Sequence, residues 1–221
     1  MKNIDLLEKN DRLTKGQKTA IKIIEAAARC IAKIGAEKTS ITAIAKEANL
    51  KRSIIAYHFP KKEMIFYQVM KHIMMNFGKN HLVEKLQKVS TNRESLEVLI
   101  TTYLDYFYEN PHYFRCYLHC FYLASFHEGY KQLNTNIFKR TVSRIAYTAR
   151  KVAKEVGIVA TVEDCESFAH IIYSNLLGII MSYYTVDHSK SYKVYRNDCI
   201  ELLQTEIDAF LIHTKNLQNT N

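Results

Sequence analysis

Six glycines and two prolines are all that punctuate 221 residues. That is too few to end the dozen or so strands of an all-β domain, or to build glycine-rich phosphate loops. A chain so short of turn residues folds as long helices with brief connections, and an all-α fold is expected. Hydrophobic residues make up 48% of the sequence, enough to core one or two globular domains.

Charge is distributed unevenly along this helical chain. Residues 1–62 hold 14 Lys and Arg against 6 Asp and Glu, net +8, whereas the remaining 159 residues hold 17 against 16, net +1. A basic head on a neutral body points to a nucleic-acid or anionic-surface contact made by the head. The five cysteines form no CxxC pair and follow no signal-like N-terminus, so a reduced, cytoplasmic protein is expected. The most apolar run, residues 168–184, is interrupted by His170, Ser174 and Asn175 and lacks the length and purity of a membrane span, so it reads as a buried helix.

Residues 1–14 alternate acidic and basic groups and read as a frayed leader. From about Lys15 a helical period places Ile24, Ala27, Ala28, Ile31 and Ile34 on one stripe, with Gly35 as its stop. Lys15, Lys18 and Lys22 share a narrow arc of that helix, either a solvated face or an anion contact. A second short helix follows Thr39 or Ser40, either of which can cap it, and carries Ile41, Ile44, Ala45 and Ala48 inward. Asn49, the non-glycine residue best suited to a left-handed turn, precedes a third apolar set of Leu50, Ile54 and Ile55, which Phe59-Pro60 ends. Two short helices about a tight turn make a helix-turn-helix. A connector from Lys61 to about Phe77 follows, then helices at roughly 81–89, 94–109, 111–127, 131–156, 162–186 and 193–214.

The stretch TSITAIAKEANLKRSIIAYHFPKKEMI resembles the DNA-binding domain of the TetR family of bacterial transcriptional regulators, most specifically in its YHF tail followed by KKE. The resemblance covers residues 21–65. It implies a three-helix head, residues 1–62, and a larger helical bundle, residues 63–221, that binds a small-molecule effector and forms a homodimer. It further implies a ligand-released repressor on a palindromic double-stranded DNA operator. Thr39 and Thr42 fall where family members touch phosphate, while Lys51, Arg52 and Ser53 open the recognition helix. Tyr57 and His58 fall at its end and Lys62 starts the next helix; with Lys15 these complete the expected DNA contacts. Arg can read guanine bidentately, whereas Lys, Thr and Tyr hold phosphate oxygens without reading sequence.

Three departures from the family pattern stand out. Ala56 replaces a common aromatic phosphate contact. Ile54 replaces a small polar residue, either widening the helix core or setting an apolar group near a thymine methyl. Lys51 stands at the usual Ser or Thr cap, which gives up about 1 kcal/mol of capping and puts a cation at the positive end of a helix dipole.

In the body, Tyr103, Phe107, Tyr117 and Tyr173 are the expected lining of a pocket for a hydrophobic or aromatic effector, against the alternative that aromatics at helical spacing are core. His112, Cys116, His119 and Cys120 share one helix face, which admits a metal- or thiol-responsive regulator as the alternative to buried packing. Phe168, Ile172, Leu176, Ile179 and Tyr183 form one late stripe and Ile200, Leu203, Ile207, Phe210 and Leu211 another, each suited either to dimerisation or to the subunit core. No nucleotide-binding or nucleophile-elbow motif is present, and His127-Glu128 lacks the second His of a zincin, so neither an enzyme nor a cofactor is expected.

Overall fold

The computed structural model describes residues 13–187 and 190–219. The leader predicted for residues 1–14 therefore lies outside the described residues up to position 12. Among the described residues all regular structure is helical, and no helix is long and apolar enough to cross a membrane.

The chain packs as two compact units that do not follow chain order. One ends at Met75 and takes up Asn110–Lys131; the other comprises Asn76–Glu109 and the chain from Gln132 onward.

The first unit begins with α1 (Lys15–Lys38), α2 (Ile41–Ala48), α3 (Arg52–His58) and α4 (Lys62–Asn76). Thr14 starts α1 through a capping box with Gln17. The predicted stop at Gly35 is a kink instead: Gly35 sits at φ 78°, ψ 159°, a region open essentially to glycine, and helical structure resumes through Lys38. Asn49 adopts φ 49°, ψ 53° and closes α2 with an N–H bond to Ala45. A further bond from Leu50 to Ala45 at 3.0 Å completes the left-handed cap. α7 (Pro111–Ala124) joins this unit by packing on α1. Ala26, Ala27 and Ala28 are all but inaccessible there, and such small side chains let backbones approach until side chains bond across them. Arg115 donates to the Ala32 carbonyl at 2.9 Å and Cys116 to that of Ala28 at 3.6 Å.

The second unit opens with a difference from the sequence reading. In place of a helix at 81–89, a π-helical turn (Phe77–Leu82) runs into the short α5 (Val83–Leu86). Then come α6 (Asn92–Glu109), most of α8 (Glu128–Glu155), α9 (Val162–Thr185) and α10 (Tyr192–Asn219). Leu96, Ile100 and Leu104 of α6 are buried with Phe168, Ile172 and Leu176 of α9 and Leu203 and Ile207 of α10. The Phe168 and Phe210 rings meet at 4.7 Å. Most of the two late apolar stripes thus serves the subunit's own core, the second of the two uses open to them.

Candidate nucleic-acid interface and a tyrosine-walled pocket

α3 turns one side inward and the other to solvent. Ile55 is fully buried and Ile54 half-buried, while Lys51, Arg52, Ser53, Ala56 and Tyr57 are exposed. Tyr57 is 84% accessible, its ring edge-on to half-buried His58 at 5.4 Å. An exposed phenol on a seven-residue helix has no packing role, so its hydroxyl is available to a phosphate. Lys51 stands at the N-cap with no side-chain capping bond. Thr42 is exposed in the first turn of α2, and Lys15, Lys18 and Lys22 are exposed along α1. Among the described residues none of these cations pairs with a carboxylate. Glu47 is committed elsewhere, to Arg29 at 2.8 Å and Lys33 at 3.1 Å.

Two of the expected contacts are occupied inside the head. Thr39 is fully buried and donates its hydroxyl to the Gly35 carbonyl at 2.7 Å. Ser40, not Thr39, caps α2 by accepting from Ala43. Half-buried Lys62 donates to the Ala36 carbonyl at 3.3 Å and lies 5.2 Å over the Phe66 ring. Both side chains therefore brace the corner that Gly35 creates.

In the second unit, the end of α6 meets the α9 and α10 ends at a shallow pocket with enclosed room for little more than a water molecule. Tyrosines dominate its wall. Tyr108 and Tyr192 stack face to face at 3.5 Å, and Tyr183 stands edge-on to Tyr192 at 5.5 Å. Asp105 anchors the wall, accepting from the Tyr192 hydroxyl at 2.9 Å and from the Arg196 guanidinium at 2.9 Å, with Lys85 at 3.5 Å. Burial pushes the Asp105 pKa up, but the bonds from Arg196 and Tyr192 and the nearby Lys85 charge outweigh it and hold the carboxyl below its ordinary value. Burial, then the bond to Asp105, pushes the Tyr192 phenol up.

Residues 23–69 match the family model for bacterial regulatory proteins of the tetR family. These residues are a tetR-family DNA-binding region. A chain carrying this region is a DNA-binding transcriptional regulator, with α2 and α3 as its helix-turn-helix. Solved structures share the fold along nearly its whole length. A TetR transcription regulator from Haloarcula marismortui superposes with a TM-score of 0.73 at 15% identity, over 87% of this chain and 97% of that one. A transcriptional regulator from Saccharomonospora viridis in complex with choline gives 0.71 at 23% identity, over 83% and 96%. Salmonella enterica GusR gives 0.69 at 20%, over 90% and 98%. Among the curated proteins none matches the sequence significantly.

The four aromatic residues expected to line a TetR-family effector pocket lie elsewhere than the tyrosine wall. Tyr103 and Phe107 touch at 5.2 Å within the buried face of α6, and Tyr173 meets Phe138 at 4.9 Å. Tyr117 belongs to the first unit and packs on Phe121 at 4.9 Å. The sequence does not announce the wall, because Tyr108 is about 75 residues from Tyr183 and Tyr192 belongs to a different helix from either. Their signal, a tyrosine at the last turn of one helix and the first turn of another, carries no periodicity.

The His/Cys face of α7 is divided by burial. Cys116 and Cys120 are buried, which pushes their thiols up to about 12 and about 11, so neither supplies a nucleophilic thiolate near neutral pH. His112 and His119 are half-buried, and burial lowers the pKa of both. His119 stands edge-on to Phe66 at 6.2 Å. Among the described residues no three His, Cys, Asp or Glu side chains are placed to share a metal ion.

Proposed function

We propose that this TetR-family protein is a homodimeric repressor, released from a palindromic operator by a small effector that enters the tyrosine-walled pocket. The observation that carries the reading is the Tyr108–Tyr192 stack. Rings already in contact at 3.5 Å must part to admit a ligand, and Tyr108 ends α6 while Tyr192 opens α10, so entry changes the spacing of two helices. An effector that favours the DNA-incompetent spacing by about 3 kcal/mol lowers operator affinity roughly 150-fold.

Aromatic faces attract organic cations and flat apolar rings. Choline, held by the Saccharomonospora relative, and small aromatic amphiphiles are therefore the first effectors to try. DNA recognition falls to residues 1–62, with Arg52 on base edges and Lys15, Thr42, Lys51, Ser53, Tyr57 and His58 on the backbone. Thr39 and Lys62 contribute by fixing the corner that presents α2. Effector binding and dimerisation fall to residues 63–221. The second copy meets the outer faces of α9 and α10, where Ile171, Leu202 and Ile212 are about half exposed and no charged residue interrupts α9 from Ser167 to Thr185. A two-fold dimer sets its recognition helices one DNA turn apart.

Footprinting on the DNA upstream of the protein's own gene tests this. Protection of two half-sites, lost on adding an effector that also shifts tyrosine fluorescence, is the expected result; no tryptophan is present to mask that signal. A footprint of a single half-site, or one that no effector changes while tyrosine fluorescence does, overturns the reading.

A further inference from the structure

The near-neutral charge of residues 63–221 conceals a polarised body. From Gln132 to Lys154 there is no acidic residue, whereas Lys139, Arg140, Arg144, Arg150, Lys151 and Lys154 all fall in this stretch of α8. At 100° per residue the six lie within an arc of about 140°, running some 22 Å along the helix. Val142, Ile145, Ala149 and Val152 fill the opposite, buried side. Five of the six cations are exposed, and among the described residues none is within ion-pair distance of a carboxylate. Arg144 is half-buried beside Arg140, and burial followed by that neighbouring charge lowers its pKa. Like charges gathered without a counter-ion lower stability unless a polyanion is there to meet them. Tyr147, 63% accessible, stands among them with the Lys151 ammonium 4.6 Å over its ring.

We propose that the outer face of α8 is a second, sequence-independent DNA-binding surface that holds duplex phosphates. A membrane surface fits less well, because an interfacial helix needs an apolar face to insert and Tyr147 is the single large apolar group on this arc. The polyanion a TetR-family regulator meets at highest local concentration is duplex DNA, and the inference rests on that DNA binding but not on repression, effector or operator.

The test uses the full chain and a duplex of arbitrary sequence, about 40 base pairs long, with affinity measured against salt. Replacing Lys139, Arg140, Arg150 and Lys154 together by Gln spares the Lys151–Tyr147 contact and half-buried Arg144, so the melting temperature stays constant. The slope of log affinity against log salt is expected to fall in magnitude by about three to four. A control in which exposed Lys88, Lys193 and Lys215 become Gln keeps the parent slope. An unchanged slope in the α8 variant overturns the proposal, as does an equal loss in the control, which would assign the effect to net charge. Sedimentation with phosphatidylserine-containing vesicles completes the comparison: a variant that loses vesicle binding and keeps its duplex slope places lipid, not DNA, on this face. Arg52→Gln, measured by footprinting, reports separately on the head, so failure of one surface is not mistaken for failure of the other.

Discussion

At the residue scale, the proposed DNA contact of Lys51 stands against a cost in helix stability. Lys51 caps α3 without a capping bond and places a cation at the helix end that repels it. Lys51→Ser is expected to raise stability by about 1 kcal/mol in thermal melts and to weaken operator binding in the same preparation; a change of both in one direction removes Lys51 from the interface. Asp105 shows the opposite economy, since its carboxylate is stabilised by folding. A pKa held below the ordinary value means that the ionised pair adds stability above the unfolded pKa of about 3.9 and that this is lost as pH falls through the lower, folded pKa. Melting temperature should therefore decline below about pH 4. Asp105→Asn should lower stability at neutral pH by about 2 kcal/mol and flatten that acid limb; an unchanged acid limb would show that other carboxylates govern it.

At the scale of elements, the corner between α1 and α2 is a linked set. Gly35 turns the chain, its carbonyl accepts from Thr39, and the Ala36 carbonyl accepts from Lys62. Gly35→Ala forces a Cβ into a glycine-only region and is expected to destabilise the protein by about 2 kcal/mol, read by denaturant unfolding. A loss below about 0.5 kcal/mol would mean that the corner relaxes freely. The sequence foresaw a break at Gly35 but not that helix would resume beyond it, because the bonds that hold Ala36–Lys38 come from Thr39 and Lys62 in later segments. The left-handed Asn49 was legible, since its reason is local sterics. The π-helical turn Phe77–Leu82 was not, because periodicity reports which face is apolar and does not distinguish a π turn from an α turn.

At the scale of the whole molecule, the proposed dimer makes its own demand. Gly178 lies exposed on α9, and a Cβ added there would meet nothing within 4 Å in the same chain. Gly178→Arg is therefore expected to leave the monomer's helix content unchanged while shifting sedimentation from dimer to monomer and weakening operator binding by at least tenfold. A variant that remains dimeric moves the interface away from this face.

Periodicity, caps and the lack of turn residues were enough to determine an all-helical chain with a basic helix-turn-helix, because each of those signals lies within one turn or one helix. The apolar set of α3 was legible for the same reason, whereas its exposed Lys51, Arg52, Ser53 and Tyr57 were named by the family resemblance. Tertiary structure alone decided that α7 packs with the head, that the late apolar stripes serve the subunit core, and that Thr39 and Lys62 brace a corner. It also brought Tyr108, Tyr183 and Tyr192 together and revealed the unpaired cations of α8 behind a net charge near zero. Each of these depends on which faces meet across long separations in sequence, and burial and charge pairing are properties of that meeting, not of the residues taken in order.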